Sequence, residues 1–307
     1  ERAQLDAVVL EVGLGGRLDA VNLVDADLAL VTSIGVDHIE YLGNTRESVG
    51  FEKAGIFRAG KPALCGDLNP PHTLLDKAAE LGCPLFLRGR DFDLASTDQV
   101  WHWRGQDARG QLIELRDIPL LDLPMENAAL AVQAYGLTGL PWQPERIVAA
   151  LAGTRITGRL DRRQFSWKGK PLHILLDVGH NPHAAEYLAR RLAQRPVAGK
   201  RLAVFGLLAD KDLDGVVSQL TGSVAHWAVA PLDTPRTRPG AEVEAALQGF
   251  GAAVSAYASV EQALEAQCER ATTDDEILLF GSFYCVAEAL EWLERRATQE
   301  AANGFAG

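Results

Sequence analysis

The sequence has few cysteines and no long apolar run. Four cysteines occur among its 307 residues, and none of them lies in a CxxC or other metal-binding spacing. We therefore expect buried free thiols in a protein of a reducing compartment, the cytoplasm. No apolar segment approaches the roughly 20 residues that a membrane-spanning helix needs, so we expect no membrane partner.

Positive charge is also scarce, because 30 lysines and arginines face 41 acidic residues and leave a formal net charge of -11. This balance argues against nucleic acid or an anionic membrane surface as the main partner. Anionic small substrates stay possible, since a few local cations can outweigh the global sign. Hydrophobic residues at 47% and charged residues at 23% are typical of a soluble globular protein, and the length fits one large or two ordinary domains.

A genuine P-loop is missing as well. Gly55–Lys61 (GIFRAGK) matches the pattern GxxxxGK, but Pro62 follows where a P-loop has its Mg²⁺-binding hydroxyl. This segment also lies between a predicted helix and a predicted strand, whereas a P-loop follows a strand and opens a helix. Residues 153–159 (GTRITGR) fail because arginine replaces the lysine. Gly13–Gly16 begins like a dinucleotide-binding fingerprint, but Leu18 stands in place of its last glycine, and a tight turn explains these glycines equally well.

The sequence does have a regular alternation of strand-like and helix-like segments, which indicates parallel βαβ units. We predict strands at 8–12, 28–34, 62–66, 84–89, 174–179, 202–208, 227–232, 252–257 and 277–282. We predict helices at 45–57, 71–81, 124–138, 144–152, 182–194, 212–220, 240–249, 259–271 and 283–297. Residues 91–118 resemble an antiparallel ribbon. The Gly- and Arg-rich segment 153–165 lacks helical periodicity, and we place within it, near residues 153–160, the boundary between two α/β domains, 1–155 and 156–307.

Three polar residues of the first domain are candidates for chemistry. Glu11 ends a predicted apolar strand, His38 follows the next strand, and Lys53 lies on the helix after it. A strand-end carboxylate in apolar surroundings must be paired, hydrogen-bonded or metal-bound, and neutral histidine is a common metal ligand. Each residue alone is better explained by a structural role, but together they predict a metal-and-anion site beyond the carboxyl ends of two strands. Lys53 would be an anion-binding cation or, if carbamylated, a metal-holding carboxylate.

Three loops of the second domain follow predicted parallel strands and should share one edge of its sheet. The loop 177–183 (DVGHNPH) could hold a ribose hydroxyl through Asp177 and an anion through His180. An ordinary helix cap is also a good interpretation of this loop. The other two loops are 208–212 (LADKD) and 281–283 (GSF). We expect this edge to face the metal site of the first domain across a cleft.

In this order, these segments resemble the folylpolyglutamate synthase/dihydrofolate synthase family, of the bifunctional bacterial type, within the Mur ligase superfamily. The resemblance spans nearly the whole chain, and LEVGLGGRLDA and EKAGIF are its specific signatures. The segments that carry it are LEVGLGGRLDAVN (10–22), TSIGVDHIEYLG (32–43), SVGFEKAGIF (48–57), ENAALA (126–131), GRL (158–160), DVGHNPHAA (177–185), LADKD (208–212) and GSFYCVAEAL (281–290). It implies an N-terminally truncated Mur-ligase-type ATPase domain followed by a Rossmann-like glutamate-ligase domain.

The resemblance also implies an ATP-dependent amide ligase of folate biosynthesis. In this family a substrate carboxylate attacks the γ-phosphate of ATP, and the amino group of L-glutamate then displaces phosphate from the acyl phosphate. Glu11 and His38 would be Mg²⁺ ligands, and Lys53 and His180 would be the catalytic residues, with Lys53 carbamylated to help hold a metal. The resemblance further implies that Asn127 contacts adenine, Arg159 the ATP phosphates and Asp177 the ribose. Glutamate would bind near His180, Lys211 and Ser282. Asp19 would recognise the pterin.

The P-loop of this family lies in the N-terminal part of its first domain. Because this chain has none and starts abruptly at Glu1, we expect residues to be missing before that point and the chain alone to be inactive or nearly so. A peptidoglycan-building Mur ligase is the alternative enzyme, and GLGGRLDA and EKAGIF disfavour it. A binding or regulatory protein that lost its P-loop is the alternative outside the enzymes. We expect a monomer whose partners are ATP, L-glutamate and dihydropteroate or a folate.

Overall fold

The computed structural model describes residues 5–304, and side chains as far as residue 299. Backbone contacts divide the chain into two units, the first ending at Thr154 and the second beginning at Arg155. This division falls within the Gly- and Arg-rich segment 153–165. Within the described residues, no helix combines the length and the apolar character that a bilayer crossing requires.

The first unit contains a small parallel sheet with the strand order β1-β2-β3. Its strands are β1 (Ala29–Val31), β2 (Ala63–Cys65) and β3 (Leu85–Leu87). The helices that connect them are α1 (Ile39–Leu42), α2 (Arg46–Ala54) and α3 (His72–Glu80). Buried side chains of β1 and β2 pack against α2 and α3, so these elements form an α/β layer of the predicted kind.

Helix α2 starts where the sequence supplies a capping box. The Thr45 side chain accepts the N–H of Ser48 at 3.1 Å, and the Ser48 hydroxyl oxygen accepts the N–H of Thr45 at 3.3 Å. Glu47, in the first turn, accepts two backbone N–H groups at the start of α3. These bonds fix α2 beside α3 and leave Lys53 in the last turn of α2.

The predicted antiparallel ribbon is confirmed, with the strand order β4-β5-β6. It consists of β4 (Asp93–Ser96), β5 (Val100–Gln106) and β6 (Leu112–Pro119), and the helices α4 (Met125–Leu137) and α5 (Pro144–Gly153) follow it. The indole N–H of the buried Trp103 donates to the Ala129 carbonyl of α4 at 3.0 Å. Gln133 of α4 bonds both backbone polar groups of Gln106. Helix α4 is thereby fixed against the ribbon, with Asn127 exposed in its first turn.

The second unit is a six-stranded sheet with the order β11-β10-β9-β12-β8-β7. Its strands are β7 (Asp161–Trp167), β8 (Lys170–Asp177), β9 (Arg201–Phe205), β10 (His226–Val229), β11 (Val254–Ala256) and β12 (Glu276–Phe280). Its helices are α6 (Pro182–Gln194), α7 (Leu213–Ser218), α8 (Gly240–Gly249), α9 (Val260–Arg270) and α10 (Phe283–Gly304). All strands run parallel except β7, which is antiparallel to β8. Helices α6, α7 and α8 cover one face and α9 and α10 the other, as in a doubly wound fold.

The strands β8, β9 and β12 end side by side, so the loops that follow them leave one edge of the sheet. Phe280 of β12 pairs with both Asp177 of β8 and Phe205 of β9. Gly281 then turns the chain with a φ of 111°, and a Cβ at this position would lie 2.5 Å from the Gly206 carbonyl oxygen. Only glycine permits this close approach of two loops at the sheet edge.

The prediction of a strand at residues 8–12 is wrong. Val8 is 64% exposed and Val9 is 95% exposed, and the segment has no strand conformation. A strand needs a neighbour that satisfies its backbone hydrogen bonds, and among the residues that the structure describes this segment pairs with none. An apolar β-branched pattern alone is therefore insufficient here.

Strand β7 was not predicted. Most of its residues lie in the expected linker, and its two arginines, Arg162 and Arg163, obscure the alternating pattern. It forms because Asp161–Trp167 pair residue by residue with β8, and because Phe165 and Trp167 are buried against the core that includes α10. The linker is therefore shorter than the sequence suggested.

Candidate functional site

Asp177 ends β8 and is buried at the carboxyl edge of the second sheet. Its Oδ2 accepts the N–H of Leu160 at 3.0 Å, and its Oδ1 accepts the N–H of Gly179 at 2.8 Å. Burial raises the pKa of Asp177, and these backbone bonds and the nearby charge of Arg159 oppose that shift. Each carboxylate oxygen has a second lone pair, so Asp177 can bind its own loops and still accept a hydroxyl group of a ligand.

The ring of Phe283 lies near two predicted site residues. Phe283 opens α10 and is 60% exposed. The guanidinium carbon of Arg159 lies 5.8 Å from the centroid of this ring, and the imidazole centroid of His180 lies 6.3 Å from it. A cation within about 6 Å of an aromatic face is attracted to it. Arg159 and His180 therefore both lie near Phe283, and the charges of both favour the ionised form of Asp177.

Backbone groups fix the side chains of His180 and Ser282. The Nδ1 atom of His180 lies 2.9 Å from the Val178 carbonyl oxygen. Because a carbonyl oxygen only accepts, Nδ1 carries the proton in this contact. The buried Ser282 accepts the N–H of Cys285 at 2.9 Å and so caps α10. Its own O–H group can still donate to a ligand.

Lys211 lies in the loop after β9, at the same edge of the sheet. Its side chain is only 8% exposed, and its Nζ lies 3.5 Å from the Asp210 carboxylate. Its backbone N–H donates to the Leu208 carbonyl at 3.2 Å. A shielded cation at this edge suits the binding of an anionic group such as a carboxylate.

The Gly13–Arg17 loop packs against the last turn of α2. A Cβ at Gly16 would lie 2.8 Å from the Glu52 carbonyl oxygen, which also accepts the N–H of Arg17 at 2.8 Å. The Arg17 guanidinium binds the Glu52 carboxylate at 2.9 Å. Close packing therefore explains these glycines without a dinucleotide. Lys53, beside Glu52, is half-buried, and burial lowers the pKa of its amine.

Asp19 uses its carboxylate within its own loop. Its Oδ2 accepts the N–H of Leu14 at 3.0 Å, and its Oδ1 accepts the N–H of Val21 at 3.0 Å. The bond from Leu14 is the main cause of the lowered pKa of Asp19. This capping role accounts for the residue locally, and its contact with a pterin stays a prediction.

Glu11 and His38, the predicted metal ligands, are both exposed. His38 has a φ of 51°, in the left-handed region, and its N–H donates to Asp37 Oδ1 at 2.7 Å. Within residues 5–304, no group of three or more His, Cys, Asp or Glu side chains is arranged to hold a metal ion. Mg²⁺ commonly takes one or two protein ligands together with water and phosphate oxygens. The metal site of Glu11, His38 and Lys53 therefore stays a prediction.

The second unit also matches a known family. Residues 158–283 match the model of the Mur ligase, glutamate ligase domain. Over 96% of its length the chain is 43% identical to the dihydrofolate synthase/folylpolyglutamate synthase of Escherichia coli (strain K12), of which it covers 67%. The chain belongs to the dihydrofolate synthase/folylpolyglutamate synthase family.

Solved structures of this family have the same fold. The structure of Escherichia coli FolC in complex with DHPP and ADP matches with a TM-score of 0.84 at 41% identity, over 93% of this chain and 66% of that one. A bifunctional folylpolyglutamate synthase/dihydrofolate synthase from Yersinia pestis, complexed with AMPPNP and Mn ion, also gives a TM-score of 0.84, at 39% identity over 94% of this chain and 67% of that one. The chain thus spans about two thirds of the length of these relatives. The predicted Mur-ligase-type α/β fold is confirmed.

The structure brings together only part of the residues that the dihydrofolate synthase/folylpolyglutamate synthase motifs predicted. Those of the second unit gather at one sheet edge, and they are Arg159, Asp177, His180, Lys211 and Ser282. Among the described residues of the first unit, no hydrogen bond or ion pair joins Glu11, His38 and Lys53 to one another. The structure adds Phe283, which the sequence reasoning missed. The available signal was an aromatic residue directly after the glycine and serine that follow the last strand.

Proposed function

We propose that the full gene product is an ATP-dependent ligase that adds L-glutamate to dihydropteroate, to folate polyglutamates or to both, through an acyl phosphate. The observation that carries this proposal is the gathering of Arg159, Asp177, His180 and Ser282 at one sheet edge, within the region that matches a glutamate-ligase family. Relatives with the same fold bind ADP or AMPPNP, which supports ATP as the nucleotide.

The groups around Asp177 suit a nucleotide. The Asp177 carboxylate is the proposed acceptor for a ribose hydroxyl, because its two backbone bonds leave lone pairs on both oxygens. The Arg159 guanidinium is the proposed contact for the phosphates, since its N–H groups match pairs of phosphate oxygens. In the first unit, the exposed amide of Asn127 both donates and accepts, as an adenine edge requires. ATP supplies the phosphoryl group that activates the substrate carboxylate.

The glutamate end of the site is assigned to His180, Ser282 and Lys211. Incoming glutamate must lose a proton from its ammonium group before the amine can attack a carbonyl carbon. His180 is the proposed acceptor of that proton through Nε2, because Nδ1 already donates to a backbone carbonyl. The Ser282 hydroxyl and the Lys211 ammonium are proposed to bind the carboxylates of glutamate.

The donor types in the first unit fit Mg²⁺. Glu11 offers carboxylate oxygens and His38 an imidazole nitrogen, and carbamylated Lys53 would add two more oxygens. We assign Glu11 and His38 as the direct ligands. When bound, Mg²⁺ offsets the negative charge on the phosphate oxygens.

His38→Ala is expected to raise the Mg²⁺ concentration for half-maximal activity of the full gene product about 10-fold, because an imidazole ligand is lost. The measurement is ADP release that depends on glutamate and acceptor, followed across limiting Mg²⁺. His72→Ala is the matched control, since His72 is also exposed and is not assigned to the metal. Wild-type Mg²⁺ dependence in His38→Ala would contradict the assignment.

Lys53 is expected to be carbamylated. In that reaction the neutral amine attacks CO₂, an N–C bond forms, and the amine proton passes to water. Burial favours this reaction because the lowered pKa of Lys53 leaves more amine unprotonated at neutral pH. With ¹³C-bicarbonate the wild type should show a carbamate carbon resonance that Lys53→Arg lacks, and activity should fall about 10- to 100-fold.

Lys61→Arg is the control for Lys53, because Lys61 is paired with Asp27 at the surface and is not assigned to the metal site. It should keep both the carbamate resonance and the activity. A resonance of equal size in wild type and Lys53→Arg would refute carbamylation at this residue.

The overall proposal is tested by glutamate incorporation into each acceptor in turn. Incorporation into dihydropteroate, into a folate or into both is the expected result, and a peptidoglycan precursor should be inactive. Incorporation into neither folate-type acceptor would overturn the proposal. The free cysteines support a cytoplasmic location. A monomer is proposed as well, and light scattering on the purified protein measures it.

A further inference from the structure

Two loops at the carboxyl edge of the second sheet are joined by backbone hydrogen bonds. The loop after β9, residues 206–212, meets the loop after β10, residues 230–239. The N–H of Ala209 donates to the Arg236 carbonyl at 2.9 Å, and the N–H of Arg238 donates to the Leu207 carbonyl at 3.0 Å. The first of these loops carries Lys211, so the second loop is able to control the backbone on which Lys211 lies.

The Arg238 side chain strengthens this junction. Its Nη2 donates to the Ala209 carbonyl at 2.7 Å and to the Lys211 carbonyl at 2.6 Å. Its Nη1 pairs with Glu242 in the first turn of α8. The side chain is 12% exposed, and its Nε lies buried without a hydrogen-bond partner. An unsatisfied buried N–H is unfavourable, so the three remaining contacts must outweigh it.

Both backbone polar groups of Lys211 are therefore hydrogen-bonded. Its N–H donates to Leu208 within the loop, and its C=O accepts from Arg238 of the neighbouring loop. The Lys211 side chain is itself shielded from water and lies beside Asp210. A small displacement of the Lys211 backbone would therefore move the Lys211 ammonium group relative to the rest of the sheet edge.

We propose that Arg238 is a positioning residue that fixes Lys211 for binding an anionic group of the amino-acid substrate. The proposal rests on the function given above, in which Lys211 binds a carboxylate of glutamate. Arg238 itself touches no substrate and acts through the Lys211 carbonyl. The planar fork of arginine matters, since two acceptors and one carboxylate are bound at once.

The first test needs no enzymatic activity. In Arg238→Gln, amide hydrogen exchange of residues 207–212 should become faster, while exchange in β9 stays unchanged. Arg238→Lys keeps the charge but not the fork and should give an intermediate rate. Arg295→Gln is the control, because Arg295 forms a half-exposed ion pair with Glu261 on the helices α10 and α9. Unchanged exchange at 207–212 in Arg238→Gln would overturn the proposal.

The second test separates positioning from general damage. In the full gene product, Arg238→Gln should raise the KM for L-glutamate about 10-fold, and up to about 100-fold if the ammonium moves by an ångström. The KM for ATP and the melting temperature should change little. Lys211→Met should raise the same KM, and adding Arg238→Gln to it should have almost no further effect.

Additive effects in this double-mutant cycle would show that Arg238 does not act through Lys211. An equal rise of both KM values would show a structural role only. If the wild-type gene product incorporates no glutamate at all, the proposed function fails, and hydrogen exchange still decides whether Arg238 fixes the loop.

Discussion

Arg159→Ala is expected to lower kcat/KM of the full gene product about 100- to 1,000-fold in the formation of the acyl phosphate. Transfer of the phosphoryl group to a carboxylate concentrates negative charge on oxygen atoms, and a preplaced guanidinium stabilises that charge without reorganising. Among the described residues, Arg159 makes no side-chain hydrogen bond, and its guanidinium is attracted to the ring of Phe283 and to the Asp177 carboxylate. Its guanidinium is therefore available to bind phosphate.

The contact with Phe283 gives this prediction an internal check. Phe283→Leu keeps an apolar side chain and removes the aromatic face that attracts a cation. It should produce a smaller loss than Arg159→Ala and should have little effect once Arg159 is already alanine. Arg159→Lys should recover part of the activity, because a single ammonium cannot replace the paired N–H groups.

ADP release measures this prediction under conditions where glutamate is saturating. Arg116→Ala is the matched control, since Arg116 is a surface arginine of β6 that pairs with Glu114. The melting temperature should be the same in all these variants. Activity of Arg159→Ala within a factor of three of the wild type would remove Arg159 from the phosphate site.

The fold was largely predictable because the sequence patterns of its strands and of its helices are both local. Parallel strands covered on both faces are continuous apolar runs, and amphipathic helices separate them in the second unit. Residues 8–12 carry the same apolar signal as β8 but lack a strand partner, and a partner is a non-local property. Strand β7 was missed for the opposite reason. Its polar residues do not predict a strand, but pairing with β8 and burial of Phe165 and Trp167 stabilise one.

The site was predictable where chemistry follows the end of a strand. Asp177, His180 and Ser282 could be placed at one edge because parallel strands end on the same side of a sheet. Arg238 could not be identified in this way, and Phe283 was missed although it directly follows Ser282. The ring of Phe283 lies near Arg159, which is far away in the sequence. Arg238 donates hydrogen bonds to two backbone carbonyl groups of another loop.

Asp177→Ala is expected to destabilise the protein by about 2–6 kcal/mol, because two buried N–H groups lose their acceptor at about 1–3 kcal/mol each. Asp177→Asn should cost less, since one amide oxygen can serve Leu160 or Gly179 while the NH₂ group faces the other donor. Urea unfolding of the chain measures both changes. Asp214→Asn is the control, because Asp214 is exposed in the first turn of α7.

The pH dependence of stability separates the charge of Asp177 from its hydrogen bonds. Burial raises the pKa of Asp177 above its ordinary value of 3.8, so between these two pKa values the folded chain binds more protons than the unfolded chain. The contribution of Asp177 to the free energy of unfolding should therefore increase as the pH falls from the raised pKa towards 3.8, and Asp177→Asn should lack this contribution. The ribose contact needs a hydroxyl acceptor, so the KM for ATP should rise over the same interval. A wild-type pH profile of unfolding in Asp177→Asn would show that the carboxylate is not the group that titrates. The backbone N–H groups of Leu160 and Gly179 thus hold the Asp177 carboxyl group in place at the sheet edge, while its burial raises the pKa of that group.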